Sequence, residues 1–143
     1  MRKKLVNAKL TKVDGIQFLS GLEANFYKKL KAAKIKMDYE KWSYELAPNT
    51  KRVHNRTYKK WGNKFIESKS DIKPITYTPD FVINNDDYLI VVECKGRPNE
   101  RYPVIRSLFL RYLEGLGIKT YFFEPRNPNH NKEVIEHIKE IIA

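Results

Sequence analysis

Asp80, Glu93 and Lys95 are side chains whose types and spacing can do chemistry. Asp80 follows Pro79 and precedes an apolar run, Phe81-Val82-Ile83, while Glu93 and Lys95 lie just beyond a second run, Tyr88 to Val92. Between the runs sits Asn84-Asn85-Asp86-Asp87, a cluster of turn formers flanked by β-prone residues, which predicts a hairpin. With its centre between Asp86 and Asp87, residues whose numbers sum to 173 pair, and Asp80 stands opposite Glu93. Opposed side chains have Cβ atoms about 4.5 to 5.5 Å apart, where like charges destabilise the pair. A cation is therefore expected between them. Lys95, two residues beyond Glu93, leaves the same face of an extended strand. A hard divalent cation, Mg²⁺ with Mn²⁺ able to substitute, takes carboxylate oxygens and keeps positions for water and phosphate oxygens. The lysine would orient or help deprotonate an attacking water, or offset charge building on the phosphate.

A competing reading makes Asp80 a turn residue and Glu93 with Lys95 a solvated pair at a strand end. The run Tyr88 to Val92 weighs against it, because a run apolar on both faces is a central strand whose polar end is held in the fold.

The elements that must position this set follow from the pattern. Val13-Asp14-Gly15-Ile16 predicts a tight turn with short extended flanks. From Ser20 the period becomes helical, with Leu22, Phe26, Leu30 and Ala33 on one stripe and lysines largely off it. Ser20 with Glu23 fits a capping box. Glu23 also borders the apolar stripe, so its carboxylate can instead reach the core face near the hairpin. Ile35 to Leu46 predicts an extended segment with a bulge or register change before Trp42. After Gly96, a helix is predicted from about Pro103, with Ile105, Leu108, Phe109, Tyr112 and Leu113 inward and Gly115 or Gly117 ending it. Ile118 to Glu124 predicts a strand and Asn131 to Ala143 a closing helix carrying Val134, Ile135, Ile138 and Ile142. This order fits an α/β fold, a mixed β-sheet with helices over both faces.

The charge is uneven. Met1 to Lys73 holds 19 Lys and Arg against 7 Asp and Glu, whereas Pro74 to Ala143 holds 9 against 10. The net +11 points to a polyanionic partner, nucleic acid before an anionic membrane surface. Residues 1–12 read as a basic arm and 13–143 as one domain, into which a basic insertion of about residues 48–73 is set. That insertion carries Lys51, Arg52, Arg56, Lys59, Lys60 and Lys64, interleaved with Tyr58, Trp61 and Phe65, and Gly62-Asn63 can turn a small hairpin in it. Such a segment can follow a phosphate backbone and stack on bases. The alternative is a solvated ribbon whose aromatics pack on the domain. With Arg97, Arg101 and Arg106 ahead of and on the later helix, these cations are the candidate DNA contacts.

No apolar run approaches the roughly 18 to 20 residues needed to cross a bilayer, and the start MRKKL leads into no secretion-type apolar stretch. No membrane contact and a cytoplasmic location, the host cytoplasm for a phage-encoded chain, are the expectations. One cysteine, Cys94, excludes an intrachain disulfide and a cysteine zinc cluster. Flanked by Glu93 and Lys95, it points to the opposite strand face and reads as a small buried hydrophobe. His54, His130 and His137 have no metal-ligand spacing and read as surface or packing residues.

Ser20-Gly21-Leu22-Glu23, Thr76-Tyr77-Thr78-Pro79-Asp80-Phe81 and Val92-Glu93-Cys94-Lys95-Gly96 together resemble the restriction-endonuclease-like superfamily, with its P-D…(D/E)-x-K signature. Within it the chain looks most like phage endonuclease I, a Holliday junction resolvase acting in DNA recombination, and related small phage proteins, over about Val13 to Tyr112. The resemblance implies that Glu23, Asp80, Glu93 and Lys95 form the active site. Asp80, Glu93, Glu23 and the Cys94 carbonyl would then be metal ligands, and the chain a metal-dependent endonuclease. It also implies an intertwined homodimer selective for four-way or branched DNA. A nicking or restriction-type duplex nuclease, or an inactive nucleic-acid-binding protein on the same fold, are the alternatives. The chain departs from endonuclease I by its basic insertion and by its basic-poor last helix.

Overall fold

The structure, a computed structural model, describes residues 10–96 and 99–143. Residues 1–9, which make up most of the predicted basic arm, and Arg97 lie outside the described residues. The first described hairpin joins β1 (Thr11–Val13) to β2 (Ile16–Phe18) through Asp14 and Gly15, with φ of 52° and 77°. Two successive positive φ values give a turn whose twist matches its strands, and Gly15 accepts one of them without steric cost. Helix α1 (Gly21–Ala32) follows, capped by Ser20, and buries Ala24, Phe26 and Leu30.

The predicted extended segment Ile35 to Leu46 is two strands in different sheets. The first is β3 (Asp38–Tyr39), the second β4 (Tyr44–Ala47), and the chain turns out of the first at Glu40, φ 47°. The basic insertion forms a hairpin, β5 (Tyr58–Trp61) with β6 (Lys64–Glu67), turned at Gly62-Asn63 as the sequence predicts. Next come β7 (Ile75–Tyr77), β8 (Phe81–Asn84), β9 (Tyr88–Val92), α2 (Tyr102–Glu114), β10 (Lys119–Phe123) and α3 (Pro128–Ile142). Helix α3 starts three residues before the predicted Asn131, because Asn127 caps it by accepting from the His130 N–H and Pro128 occupies its first turn. Ile142, expected inward, is exposed at its end.

The main sheet is mixed, with strand order β10-β9-β8-β3. Strands β8 and β9 pair antiparallel from Phe81 with Val92 to Asn84 with Leu89, the sum-173 register. Strand β10 joins β9 in parallel after the α2 crossover, and β3 joins β8 antiparallel. Alternate residues serve opposite faces. Phe81, Ile90, Val92 and Cys94 pack with α1 and α3, while Val82, Leu89 and Val91 pack with Phe109 and Leu113 of α2 and Tyr44 of β4. Phe18, Phe26, Phe81 and Phe109 are fully buried, each contributing on the order of 2 to 3 kcal/mol by removing apolar surface from water. Helices thus flank both faces of the sheet, and its β8–β9 end is held by core on either side. No helix among the described residues is long and apolar enough to cross a membrane.

Candidate metal centre

Three strands end in a carboxylate at the same edge. Strand β3 pairs with β8 as Asp38 with Val82 and Tyr39 with Phe81, so one further step sets Glu40 beside Asp80. On the other side the β8–β9 register sets Glu93 beside Asp80. The Glu40 N–H donates to the Asp80 carbonyl at 2.8 Å, and the Cys94 N–H donates to Asp80 Oδ2 at 2.8 Å. Asp80 is thereby fixed from both flanks. Glu23 enters from the first turn of α1, where Tyr39 Oη donates to Oε1 at 2.7 Å and Ser20 Oγ to Oε2 at 2.9 Å.

Carboxylate oxygens of Glu23, Glu40 and Asp80 lie within 4.8 Å of one another. Oxygen ligands of one Mg²⁺ or Ca²⁺ bind at roughly 2.0 to 2.6 Å, so two of them can be about twice that far apart. The trio therefore fits a hard divalent cation in both spacing and donor type. Glu23 and Asp80 are the sequence-predicted members that the structure brings together. Glu40 is the member that sequence reasoning missed.

Glu93, also predicted, stands beside the trio with its oxygens engaged. Tyr77 Oη donates to Oε1 at 2.5 Å, and Lys95 Nζ lies 3.3 Å from Oε2. Lys95 also sits 4.8 Å from the centroid of the Tyr102 ring. Its ammonium is mostly enclosed, so the ion pair and the ring fix its position more than solvent does. The Tyr102 hydroxyl is buried and has no hydrogen-bond partner among the described residues.

Electrostatics mark the site as short of positive charge. Burial first, then the charges of Glu93 and Glu23, push the Asp80 carboxyl well above its ordinary range against the pull of the Cys94 N–H and Lys95. Burial also raises Glu93, opposed by Lys95 and the Tyr77 hydrogen bond. Burial, then the neighbouring carboxylates, raise the Cys94 thiol, which sits in the core as expected. Clustered buried acids of this kind are stabilised either by shared protons or by a bound cation.

The predicted basic contacts fall into two groups. Lys51, Lys59, Lys60, Lys64 and Arg101 are exposed. Arg52 is tied within the insertion, donating to the Ser70 carbonyl, Asn55 Oδ1 and Thr57 Oγ1 at 2.7 Å each. Arg56 pairs with Glu67 at 3.0 Å and Arg106 with Glu124 at 2.5 Å.

A mixed sheet flanked by helices, with an acidic cluster at one strand edge, defines an α/β protein with a candidate divalent-metal centre. The chain belongs to the DUF1064 family, described as proteins of unknown function, whose family model matches residues 2–121. That span contains Glu23, Glu40, Asp80, Glu93 and Lys95. No curated protein and no solved structure matches the chain.

Proposed function

We propose that this chain is a divalent-metal-dependent DNA endonuclease built on a restriction-endonuclease-like fold, with Mg²⁺ its cofactor and Mn²⁺ able to replace it. The observation that carries the reading is the meeting of Glu23, Glu40 and Asp80 oxygens within 4.8 Å beside the Glu93–Lys95 pair. When bound, a divalent cation supplies Lewis acidity and neutralises the charge of the scissile phosphate.

The chain's own residues do the rest. Glu23, Glu40 and Asp80 hold the cation, and the Cys94 carbonyl is a further candidate ligand. Glu93 holds Lys95, whose ammonium orients the attacking water and faces the charge that builds on the phosphate oxygens. Tyr77 and Tyr102 restrict how Glu93 and Lys95 can move. The net charge of +11 draws a polyanion toward this acidic centre.

The finer reading is a homodimer selective for branched DNA, including four-way junctions. One such site cuts one strand at a time, and paired incisions are most simply made by two sites related by a two-fold axis. Phosphate contacts from exposed lysines can read shape without groove-reading side chains.

The test is cleavage of supercoiled plasmid and of synthetic junctions, with Mg²⁺, Mn²⁺ or EDTA. Cutting that needs metal and disappears in Asp80→Asn supports the enzyme. Binding with no cutting leaves a nucleic-acid-binding protein instead. Light scattering, with competition between a junction and linear duplex of equal length, tests the finer reading; a monomer without junction preference replaces it with a nicking or restriction-type nuclease.

A further inference from the structure

We propose that the β5–β6 ribbon is a base-stacking arm, which takes unpaired bases of a DNA strand on Trp61 with Lys59 and Lys64 against the neighbouring phosphates. Its consequence for substrate choice, that DNA with unstacked bases is preferred to uninterrupted duplex, rests on the nuclease reading; the binding itself does not.

The ribbon leaves its aromatics in solvent. Tyr58 is 53% exposed, Trp61 66% and Phe65 75%, which overturns the alternative in which they pack on the domain. A two-stranded hairpin alone is marginal in water, and large apolar side chains kept outside a fold mark an interaction surface. The register sorts the ribbon into two faces. Lys59 pairs with Ile66 and Trp61 with Lys64, so these four share one face. Tyr58 pairs with Glu67 and Lys60 with Phe65 on the other. The Trp61 face has two lysines and no acid. Glu67, on the opposite face, is neutralised by Arg56 at 3.0 Å and Lys69 at 3.4 Å.

Charge chooses the occupant. Residues 48–73 hold eight Lys and Arg against two acids, Glu67 and Asp71. A second copy would bring a ribbon of the same sign against this one, whereas a DNA strand supplies both ring faces and negative charge. Base stacking on an aromatic side chain tolerates any sequence and is worth about tenfold or more in affinity per base.

The ribbon is also joined to the metal centre. Its strands converge through the Thr50–Ile72 bridge onto the paired strands β4 and β7, and Tyr77 at the end of β7 donates to Glu93. A strand held at the tip is thus linked to the site through the base of the ribbon, by the isolated Thr50–Ile72 bridge, the β4–β7 pair and the Tyr77 hydroxyl.

The experiment measures binding of the full chain in EDTA, where cutting is suppressed, by fluorescence anisotropy. The probes are an oligo-dT strand, an abasic strand of equal length and a blunt duplex of equal phosphate count. Oligo-dT is expected to bind at least about tenfold more tightly than the abasic strand. Trp61→Ala should remove most of that difference and Trp61→Phe restore much of it, with the abasic strand and the salt slope unchanged. Replacing Lys59 and Lys64 with glutamine should lower the slope of log affinity against log salt by up to about 0.7 for each lost contact on single strands. Equal binding of oligo-dT and abasic strands, or a folded Trp61→Ala protein that binds both as wild type does, overturns the proposal. So does a dimer that Trp61→Ala dissociates, since the ring then belongs to a second copy. Trp61-dependent binding by a protein that never cuts DNA leaves the arm standing and removes the nuclease; metal-dependent cutting with Trp61 indifferent to bases does the reverse.

Discussion

Glu40 and Asp80 stand side by side, one step beyond the last paired residues of β3 and β8, with the Glu40 N–H on the Asp80 carbonyl at 2.8 Å. Two carboxylates so placed repel one another unless a cation or proton lies between them. Glu40 is therefore a candidate ligand of the metal site, with Glu23 and Asp80. Glu40→Gln should leave the fold and the backbone hydrogen bond intact while lowering metal affinity and metal-dependent cleavage by at least about 10- to 100-fold, the range seen when the partners of metal ligands are removed. Calorimetric titration with Mn²⁺ checks the first effect and a plasmid assay the second. A Glu40→Gln protein that binds Mn²⁺ as wild type does would take Glu40 out of the site.

Stability should depend on pH in the sense opposite to that of a salt-bridged acid. The folded-state pKa of Asp80 is raised above its ordinary 3.8 and that of Glu93 above 4.5, chiefly by burial. Between the unfolded and folded values the native state holds more protons, so the stability these groups contribute is complete below about pH 4. It is lost as pH rises through the folded values. Each unit of difference corresponds to about 1.4 kcal/mol. In EDTA, the melting temperature of wild type relative to Asp80→Asn should fall from pH 4 toward pH 7. Mg²⁺ or Mn²⁺ should raise the wild-type value more as pH rises and the carboxylates give up their protons, and raise Asp80→Asn much less. A wild-type minus Asp80→Asn difference that is flat across this range, with or without metal, contradicts the account.

How much of this was legible in the sequence depended on the reach of each pairing. The β8–β9 register followed from Asn84-Asn85-Asp86-Asp87 because a four-residue turn fixes its own strands. Asp14-Gly15 and Gly62-Asn63 gave their hairpins for the same reason. The place of Glu40 required β3 to pair with β8, whose partners lie far along the chain, and required a left-handed residue at Glu40 where no glycine announces it. A strand of two residues has too short a period to reveal either. The ribbon's exposure was equally hidden, since alternating aromatics and lysines fit both a packed and a free hairpin.

Glu23 has two roles that one substitution separates. Ser20 Oγ accepts from the Glu23 N–H at 3.2 Å, half of a capping box, but the Glu23 carboxylate is bonded to the Ser20 and Tyr39 hydroxyls and shares the cluster with Glu40 and Asp80. The cap depends on Ser20, so Ser20→Ala should cost about 1 kcal/mol of stability. Glu23→Gln keeps one oxygen to accept from one hydroxyl and sets its NH2 against the other, which can turn to accept from it, so the melting temperature should change little while cleavage falls sharply. Full cleavage by a folded Glu23→Gln protein would return Glu23 to a purely structural role.

Tyr77 should act as a positioning residue through Glu93. Its ring packs edge-on against Phe109, centroids 4.8 Å apart, so Tyr77→Phe keeps that contact and removes only the hydroxyl. Glu93 then loses the donor on Oε1 and keeps Lys95 on Oε2. A buried carboxylate losing one donor costs about 1 to 3 kcal/mol of stability. Because that donor holds the Glu93 pKa down, its loss lets the pKa rise further. The acid limb of the cleavage profile should move to higher pH, and kcat should fall by about 10- to 100-fold with KM nearly unchanged. A role confined to anchoring the foot of the ribbon predicts something else, a raised KM and an acid limb that stays where it was. Steady-state cleavage of one oligonucleotide substrate from pH 5 to 9, wild type against Tyr77→Phe, separates the two.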